Sequence, residues 1–442
     1  MSRLAFFFSA AFLLAAVAFL LGLYSGATKS QPYSLIYRIV TDFKSVLSER
    51  DEILGTRPVH WTSPRRYEGS GVTMNQIPSG EREFIFLQGL FDNQLQLRLI
   101  RRNGEIINSW ALEPRSLTNA VTHIRNPPPR DWGFDSHGAA VLEDGSVIFN
   151  LDHVGLVKLD RCGKRQWLVE APTHHSIEIN DDGSMWVPSA INHYDQGKLS
   201  LGLFKPPFAE DTLIKVSSDG KVLESLSLLD VFVSEGAMGL LTLTGGIAPS
   251  TMSAFRPDAS QELFHLNDAE ELPASLADSF PQFQEGDLLL SLRNRNLVMV
   301  LDAQTREIKW WMIGNWVRQH DPDWIDGRIR VFDNNRDGTN EGAILGSSKI
   351  VEVDPTTNET RVVYGEKPSQ FFYTERRGKH QNLPDGRVLI TEAEAGRVFE
   401  VDAKGGIVWE YVNRFDETYS ARISQAIAYP ESYFTVADWS CS

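Results

Sequence analysis

Ten histidines occur in the 442 residues, and five of them, His137, His175 (with His174 beside it), His265, His320 and His380, open a recurring unit. Imidazole titrates nearest neutrality, so several gathered in one concave place must share protons or bind something. A neutral imidazole can also attack an electrophile. The plainer account is a strand-opening hydrogen bond repeated by duplication. Three imidazoles can hold zinc, but these lie far apart in sequence and include no short ligand pair. Arg293 and Arg336 are cations that could hold an anion, although a surface ion pair is the commoner fate of such an arginine. The stretch Asp333-Asn334-Asn335-Arg336-Asp337-Gly338 has oxygen donors at alternate positions ahead of a glycine, as a calcium loop does. Asp333, Asn335 and Asp337 would be its ligands, but Ile344 stands where the twelfth-position glutamate belongs. Calcium, an anion held by Arg336, and a plain Asn/Asp/Gly turn all fit that stretch.

The elements that must carry these side chains are short strands. Residues 137–171, HGAAVLEDGSVIFNLDHVGLVKLDRCGKRQWLVEA, divide into four strands joined by tight turns. The unit recurs from HHSIEINDDGSMWV, HLNDAEEL, QHDPDWIDGRIRVFDN and KHQNLPDGRVLITEA, and a degenerate copy (EFIFLQG, QLRLIRR, EIINSWAL) precedes them. Six four-stranded repeats predict an all-β six-bladed propeller. In that fold the first strand of each blade lines the central channel, so the repeat-opening histidines are expected to ring one mouth. The tail SYFTVADW is expected to return and close the ring, as removal of an open edge requires. Trp167, Trp310 and Trp409 recur in last strands, where packing between blades is the expected role.

Residues 1–27 are read as a membrane anchor or signal segment, 28–60 as an amphipathic helix and linker, and 61–442 as the propeller. Residues 4–23 form an uncharged apolar run preceded by Arg3, which predicts a single pass with the propeller on the exported side of the cytoplasmic membrane. A signal peptide cleaved near Ser25-Gly26-Ala27 gives the same side. Leu35, Ile36, Ile39, Val40, Phe43, Val46 and Leu47 have helical spacing over residues 33–54, and that face could pack on the propeller or lie at the membrane surface. Cys162 and Cys441 could form one disulfide or remain two idle thiols. A net charge of −15 excludes a nucleic-acid partner and leaves any anionic substrate to be held by local cations.

At these residues the chain resembles the arylsulfotransferase family, exported propellers that move a sulfuryl group between phenols through a sulfated histidine. His265-Leu266-Asn267-Asp268 with GDLLLSLRNRN after it, and Gln319-His320-Asp321 with VFDNNRD after it, are similar to the family's motifs over roughly residues 80–435. The resemblance implies that His265 and His320 are active-site histidines and that Arg336 holds sulfuryl oxygens. His137, His175, Asn267 and Arg293 would line the same pocket. It implies an aromatic sulfate or phenol as ligand and no required cofactor, calcium aside. The nucleophile belongs to the family's last blade, where His380 is the available histidine; none stands between Glu392 and Arg397, the expected place. A competing reading is a non-catalytic propeller that binds a ligand or scaffolds a membrane-protein partner. A calcium-stabilised carbohydrate-binding propeller is a third.

Overall fold

The computed structural model describes residues 3–28, 30, 33, 35–37, 39–40, 50–78, 82–118, 121–124, 127–193, 208–242 and 261–441. The chain divides into two units, Met1–His60 and Trp61–Ser442. In the first, one helix (Arg3–Thr28) contains a stretch, Phe6–Thr28, long and apolar enough to cross a membrane. The described residues of the expected amphipathic helix are helical, including Arg50–Leu54, and Leu35, Ile36, Ile39 and Val40 are exposed. Residues 41–49, with Phe43, Val46 and Leu47, lie outside the described residues.

The second unit is a six-bladed propeller. Blade 2 runs outward as Ser136–Val141, Val147–Leu151, Gly155–Leu159 and Arg165–Val169, and blade 4 as Leu266–Glu271, Leu288–Leu292, Leu297–Leu301 and Ile308–Ile313. Blade 5 spans His320–Tyr364, and blade 6 spans Lys379–Val412 with Gly71–Asn75 added on its outer edge. Blade 3 begins with the two-residue strand Glu178–Ile179 and continues through Met185–His193, Phe208–Val216 and Val222–Ser227. The middle strands of blade 4 are buried at every residue, because neighbouring blades cover both of their faces. That is why they read as apolar runs (LLLSL, LVMVL) rather than as alternation.

Blade 1 is assembled from both ends of the unit. Its outer strands are Glu83–Phe91, Gln94–Arg101 and Ile106–Ala111, and its inner strand is Ile423–Pro430, paired antiparallel with Glu83–Phe91. The closing strand is therefore ISQAIAYP and not the expected SYFTVADW. The latter crosses onto blade 2 instead: Thr435 N–H donates to Glu143 O (2.9 Å) and Tyr433 hydroxyl to Val141 O (3.0 Å). Trp439 there packs edge-on against Phe84 and Trp110, and Cys441 is bonded to Cys162 in the last turn of blade 2. The aromatic residues that made this tail look like a strand are the ones that anchor it across two blades.

Outer-strand tryptophans stitch successive blades together. Trp110, Trp167, Trp310 and Trp409 donate their indole N–H to Asp160 O (3.2 Å), Ser218 O (3.2 Å), Asn358 Oδ1 (2.8 Å) and Arg102 O (2.9 Å), each in the strand-connecting turn of the next blade. An indole buried along its body needs such a partner for its one polar atom.

Candidate functional site

Four of the repeat-opening histidines meet at the channel axis. Ring centroids lie 4.8 Å apart for His137 and His175, 4.8 Å for His175 and His265, and 6.3 Å for His137 and His320. His137 and His320 belong to blades 2 and 5, three steps apart in a six-membered ring, so their rings approach across the axis. A cavity there is lined by His137, Ser176, Asn267, Asp268, His320, Asp321, Lys379 and Gln425, among others.

The backbone brings them there by local irregularity. The inner strands carry register shifts between Ser136 and Ala139, Leu266 and Asp268, His320 and Asp323, and Ile423 and Gln425. Such bulges re-aim side chains at a strand's end. His175 and His265 adopt left-handed φ values of +60° and +56°. For residues with a Cβ this conformation costs of order 1 kcal/mol and needs outside support. The preceding blade supplies it. Asn150 Nδ2 donates to His175 O (2.8 Å), and Asp211 accepts from Phe264 N (3.0 Å) and Leu266 N (2.9 Å) on either side of His265. Gly138 is at φ +86°, and a Cβ there would lie 1.9 Å from His175 O. Only glycine lets His137 and His175 approach so closely.

His320 has a defined tautomer. Asn334 Nδ2 donates to Thr374 O (3.0 Å) and Arg377 O (2.6 Å), so its Oδ1 is left as an acceptor. His320 Nδ1 lies 2.6 Å from that oxygen and must carry the proton. Nε2 then keeps its lone pair. Burial holds His137, His175 and His320 well below the ordinary imidazole pKa, helped by Arg377 beside His137, by His265 beside His175 and by Arg293 beside His320. All three are neutral at pH 7.

His380 stands apart. The left-handed residue that opens the inner strand is His265 in blade 4, Arg318 in blade 5 and Arg377 in blade 6. Counted from it, His320 is two residues on and His380 three. Neighbouring strand residues face opposite ways, so Lys379 lines the cavity while His380 turns into the seam between blades 5 and 6. Its Nδ1 lies 2.9 Å from Asp321 Oδ2, which also accepts from the His380 backbone N–H (2.6 Å). The expected nucleophile position between Glu392 and Arg397 is occupied by those two residues as an ion pair (3.3 Å), with Glu392 fully buried.

The remaining predicted residues divide. Asn267 donates to Gln319 O (2.8 Å), joining blade 4 to the residue before His320. Arg293 is buried near His320, whereas Arg336 is committed to Glu375 (2.7 Å). In the proposed calcium loop the oxygens are turned to backbone donors. Asp333 accepts from Val317 N and Asn335 N, Asp337 from Thr339, Ile344 and Leu345 N, and the Asn335 amide donates to Leu345 O and Ser347 O. Burial nevertheless pushes the Asp333 carboxyl up to about 6.

Sequence reasoning passed over Asn334, Arg377 and Arg422. Arg377 is buried, pairs with Asp135 and holds that carboxyl low against its burial. Burial, with Arg377 nearby, pulls Arg422 down to about 10. The available signal for Arg377 was its position just ahead of Gly378-Lys379-His380, where blades 3 and 4 place a histidine. Below the imidazoles lies a second layer, three residues further along the same strands: Glu178, Asp268 and Asp323, joined by Glu270, Asp321 and Lys379. Lys379 Nζ bridges Glu178 (2.6 Å) and Asp321 (2.8 Å). Burial pushes Asp268 up to about 8 and raises Glu270 and Asp323 well above the carboxylate range. It would raise Asp321 too, but Lys379 and His380 hold that group at about 2.

The family model for arylsulfotransferase matches residues 138–414, a span that begins one residue after His137 and contains His175, His265, His320 and His380. The chain belongs to the arylsulfotransferase family. No curated protein matches it. Among solved structures, a Bacteroides caccae protein of unknown function is 15% identical, with 79% of this chain and 100% of that one covered at a TM-score of 0.48. Hydrazine synthase from Kuenenia stuttgartiensis is 11% identical, covering 77% and 79% at a TM-score of 0.42. A catalytically inactive virginiamycin B lyase from Staphylococcus aureus, also 11% identical, covers 62% and 69% at 0.34. Within the arylsulfotransferase family, this member places a glutamate–arginine pair, Glu392 and Arg397, where the nucleophilic histidine was expected.

Proposed function

We propose that this arylsulfotransferase-family propeller binds an aryl sulfate or similar anion at the imidazole-lined channel mouth and transfers its sulfuryl group through His320. The observation that carries the reading is the locked tautomer of His320. Its Nδ1–H is held by Asn334 and its Nε2 lone pair is left over, in a neutral ring beside the cavity. Attack by Nε2 on sulfur forms an N–S bond as the S–O(aryl) bond breaks, and the electron pair leaves on the phenolate. Neutral His137 and His175 supply N–H donors for that oxygen. Arg293 and Arg377 offer charge to the sulfuryl oxygens as it redistributes. An acceptor phenol, giving its proton to the departing phenolate, then attacks the sulfur, the N–S bond breaks and the imidazole is freed.

His380 is less suited to this role, because a sulfate ester beside Asp321 and Asp323 would meet carboxylates. Export is supported by Arg3 ahead of the apolar helix and by the Cys162–Cys441 disulfide, which persists in oxidising compartments. Together they favour a propeller tethered to the cytoplasmic membrane on its outer side.

Para-nitrophenyl sulfate without acceptor tests the mechanism. Wild type should release a burst of one phenolate per chain and carry one sulfuryl adduct by intact-protein mass spectrometry. His320→Ala should lose both, and His380→Ala should keep both. An adduct that survives His320→Ala names another histidine. A donor that binds and leaves no adduct makes the protein a ligand-binding propeller.

A further inference from the structure

We propose that His380 and Asp323, oriented by Asp321, bind one divalent transition-metal ion, of the zinc or manganese class, in the seam between blades 5 and 6.

The geometry starts from His380. Its side chain is fully buried, and Nδ1 donates to Asp321 Oδ2 at 2.9 Å. That bond fixes the proton on Nδ1 and leaves Nε2 as a lone-pair donor. Nε2 is buried without a hydrogen-bond partner, and the nearest carboxylate oxygen is Asp323 Oδ2 at 3.4 Å. An unprotonated nitrogen facing a carboxylate oxygen is repulsive unless a cation or proton lies between them. A separation of 3.4 Å is close to the spacing of two ligands on one ion whose bonds are about 2.0–2.2 Å. A carboxylate accepting from the far nitrogen of a ligating imidazole is the usual outer-shell arrangement at metal sites. Atoms of Asp321, Asp323 and His380 that could serve as ligands all fall within 4.8 Å of one another.

Glu178, Asp268, Glu270, Asp321 and Asp323 converge from blades 3, 4 and 5, and Lys379 Nζ is taken up by Glu178 (2.6 Å) and Asp321 (2.8 Å). A mixed imidazole and carboxylate donor set favours a transition metal over calcium or magnesium, which prefer oxygen alone. The Asp323 side chain is 23% exposed, so the pair is not sealed from solvent. The ion would pin blade 6 to blade 5 and make His380 a ligand, unavailable for sulfuryl transfer.

The experiment uses full-length protein in detergent, stripped with chelator and dialysed against Zn²⁺ or Mn²⁺, with Ca²⁺ as the hard-cation control. Elemental analysis should find one Zn²⁺ or Mn²⁺ per chain, no Ca²⁺, and a higher Tm than in chelator. Asp323→Asn and His380→Gln should each lose the ion and the Tm gain. Should His380→Gln fail to fold, the partly exposed Asp323→Asn decides, together with the visible absorption of a Co²⁺-loaded wild type, whose nitrogen-ligand bands it should lack. No bound ion in wild type, or an ion retained by Asp323→Asn with unchanged Co²⁺ bands, overturns the proposal.

Discussion

The channel wall holds two layers made by the same inner strands, three residues apart, and they solve opposite electrostatic problems. At the strand openings, His137, His175 and His320 are buried beside Arg293, Arg377 and Arg422. Desolvation strips their protons, helped by arginines beside His137 and His320 and by the other imidazoles beside His175, so the layer is a set of neutral donors and lone pairs. Further in along the same strands, Asp268, Glu270 and Asp323 are buried beside one another, and desolvation with like charge makes them retain protons. Both layers thus lower their formal charge by moving protons, in opposite directions. The first layer suits an anion. The second suits a cation, and Lys379 already serves it there. Burial alone does not say what a polar channel binds; the sign of the groups that surround each titratable side chain does.

The largest expected effect comes from removing that resident cation. Lys379→Met leaves Glu178 and Asp321 without their partner and should destabilise the propeller by about 3–5 kcal/mol in denaturant melts. A loss under 1 kcal/mol would mean that the carboxylates hold protons enough to need no cation, and the contrast between layers would weaken.

Arg377→Gln should act on binding instead. Its partner Asp135 is only half-buried, so the loss of stability should be smaller than for Lys379→Met. Affinity for para-nitrophenyl sulfate should fall roughly 10- to 100-fold, the worth of one charge-assisted contact. An unchanged affinity in calorimetry would move the anion elsewhere.

The smallest effect is in pH dependence. Folded His137 and His175 have depressed pKa values, whereas the unfolded chain protonates them near pH 6.5. Below that pH the unfolded state binds more protons, so their contribution to stability falls as pH falls, by up to about 2 kcal/mol each at pH 5. The raised carboxylates run the other way, losing stability as pH rises, so the total for wild type is partly cancelled. The difference between wild type and His137→Gln isolates one imidazole: the variant should lose less stability than wild type between pH 7 and pH 5. Parallel curves would show that His137 titrates alike in the folded and unfolded chain and is not held neutral by burial.

What the residues determined by themselves was everything carried by local period and repeat. Turn-punctuated apolar runs such as DLLLSLRN and NLVMVLDA specify strands and their number, and the outer-strand tryptophans mark the seams between blades. The gathering of His137, His175, His265 and His320 followed from repeat position, since an inner strand has one place to open. Three matters waited for the tertiary structure. The closing strand was one, because ISQAIAYP and SYFTVADW are equally strand-like, and only pairing with Glu83–Phe91 against aromatic docking on blade 2 separates them. The partners of cysteines 279 residues apart were another, since no local rule brings them together. The last was which histidines face the axis. His380 matches the others by eye, yet a one-residue step along a strand reverses a side chain, and the count depends on where the backbone turns left-handed before each blade. Arg318 and Arg377 occupy those turns in blades 5 and 6, held from neighbouring blades by Asn296 and Asn334, far away in sequence. Register is a property of the closed ring.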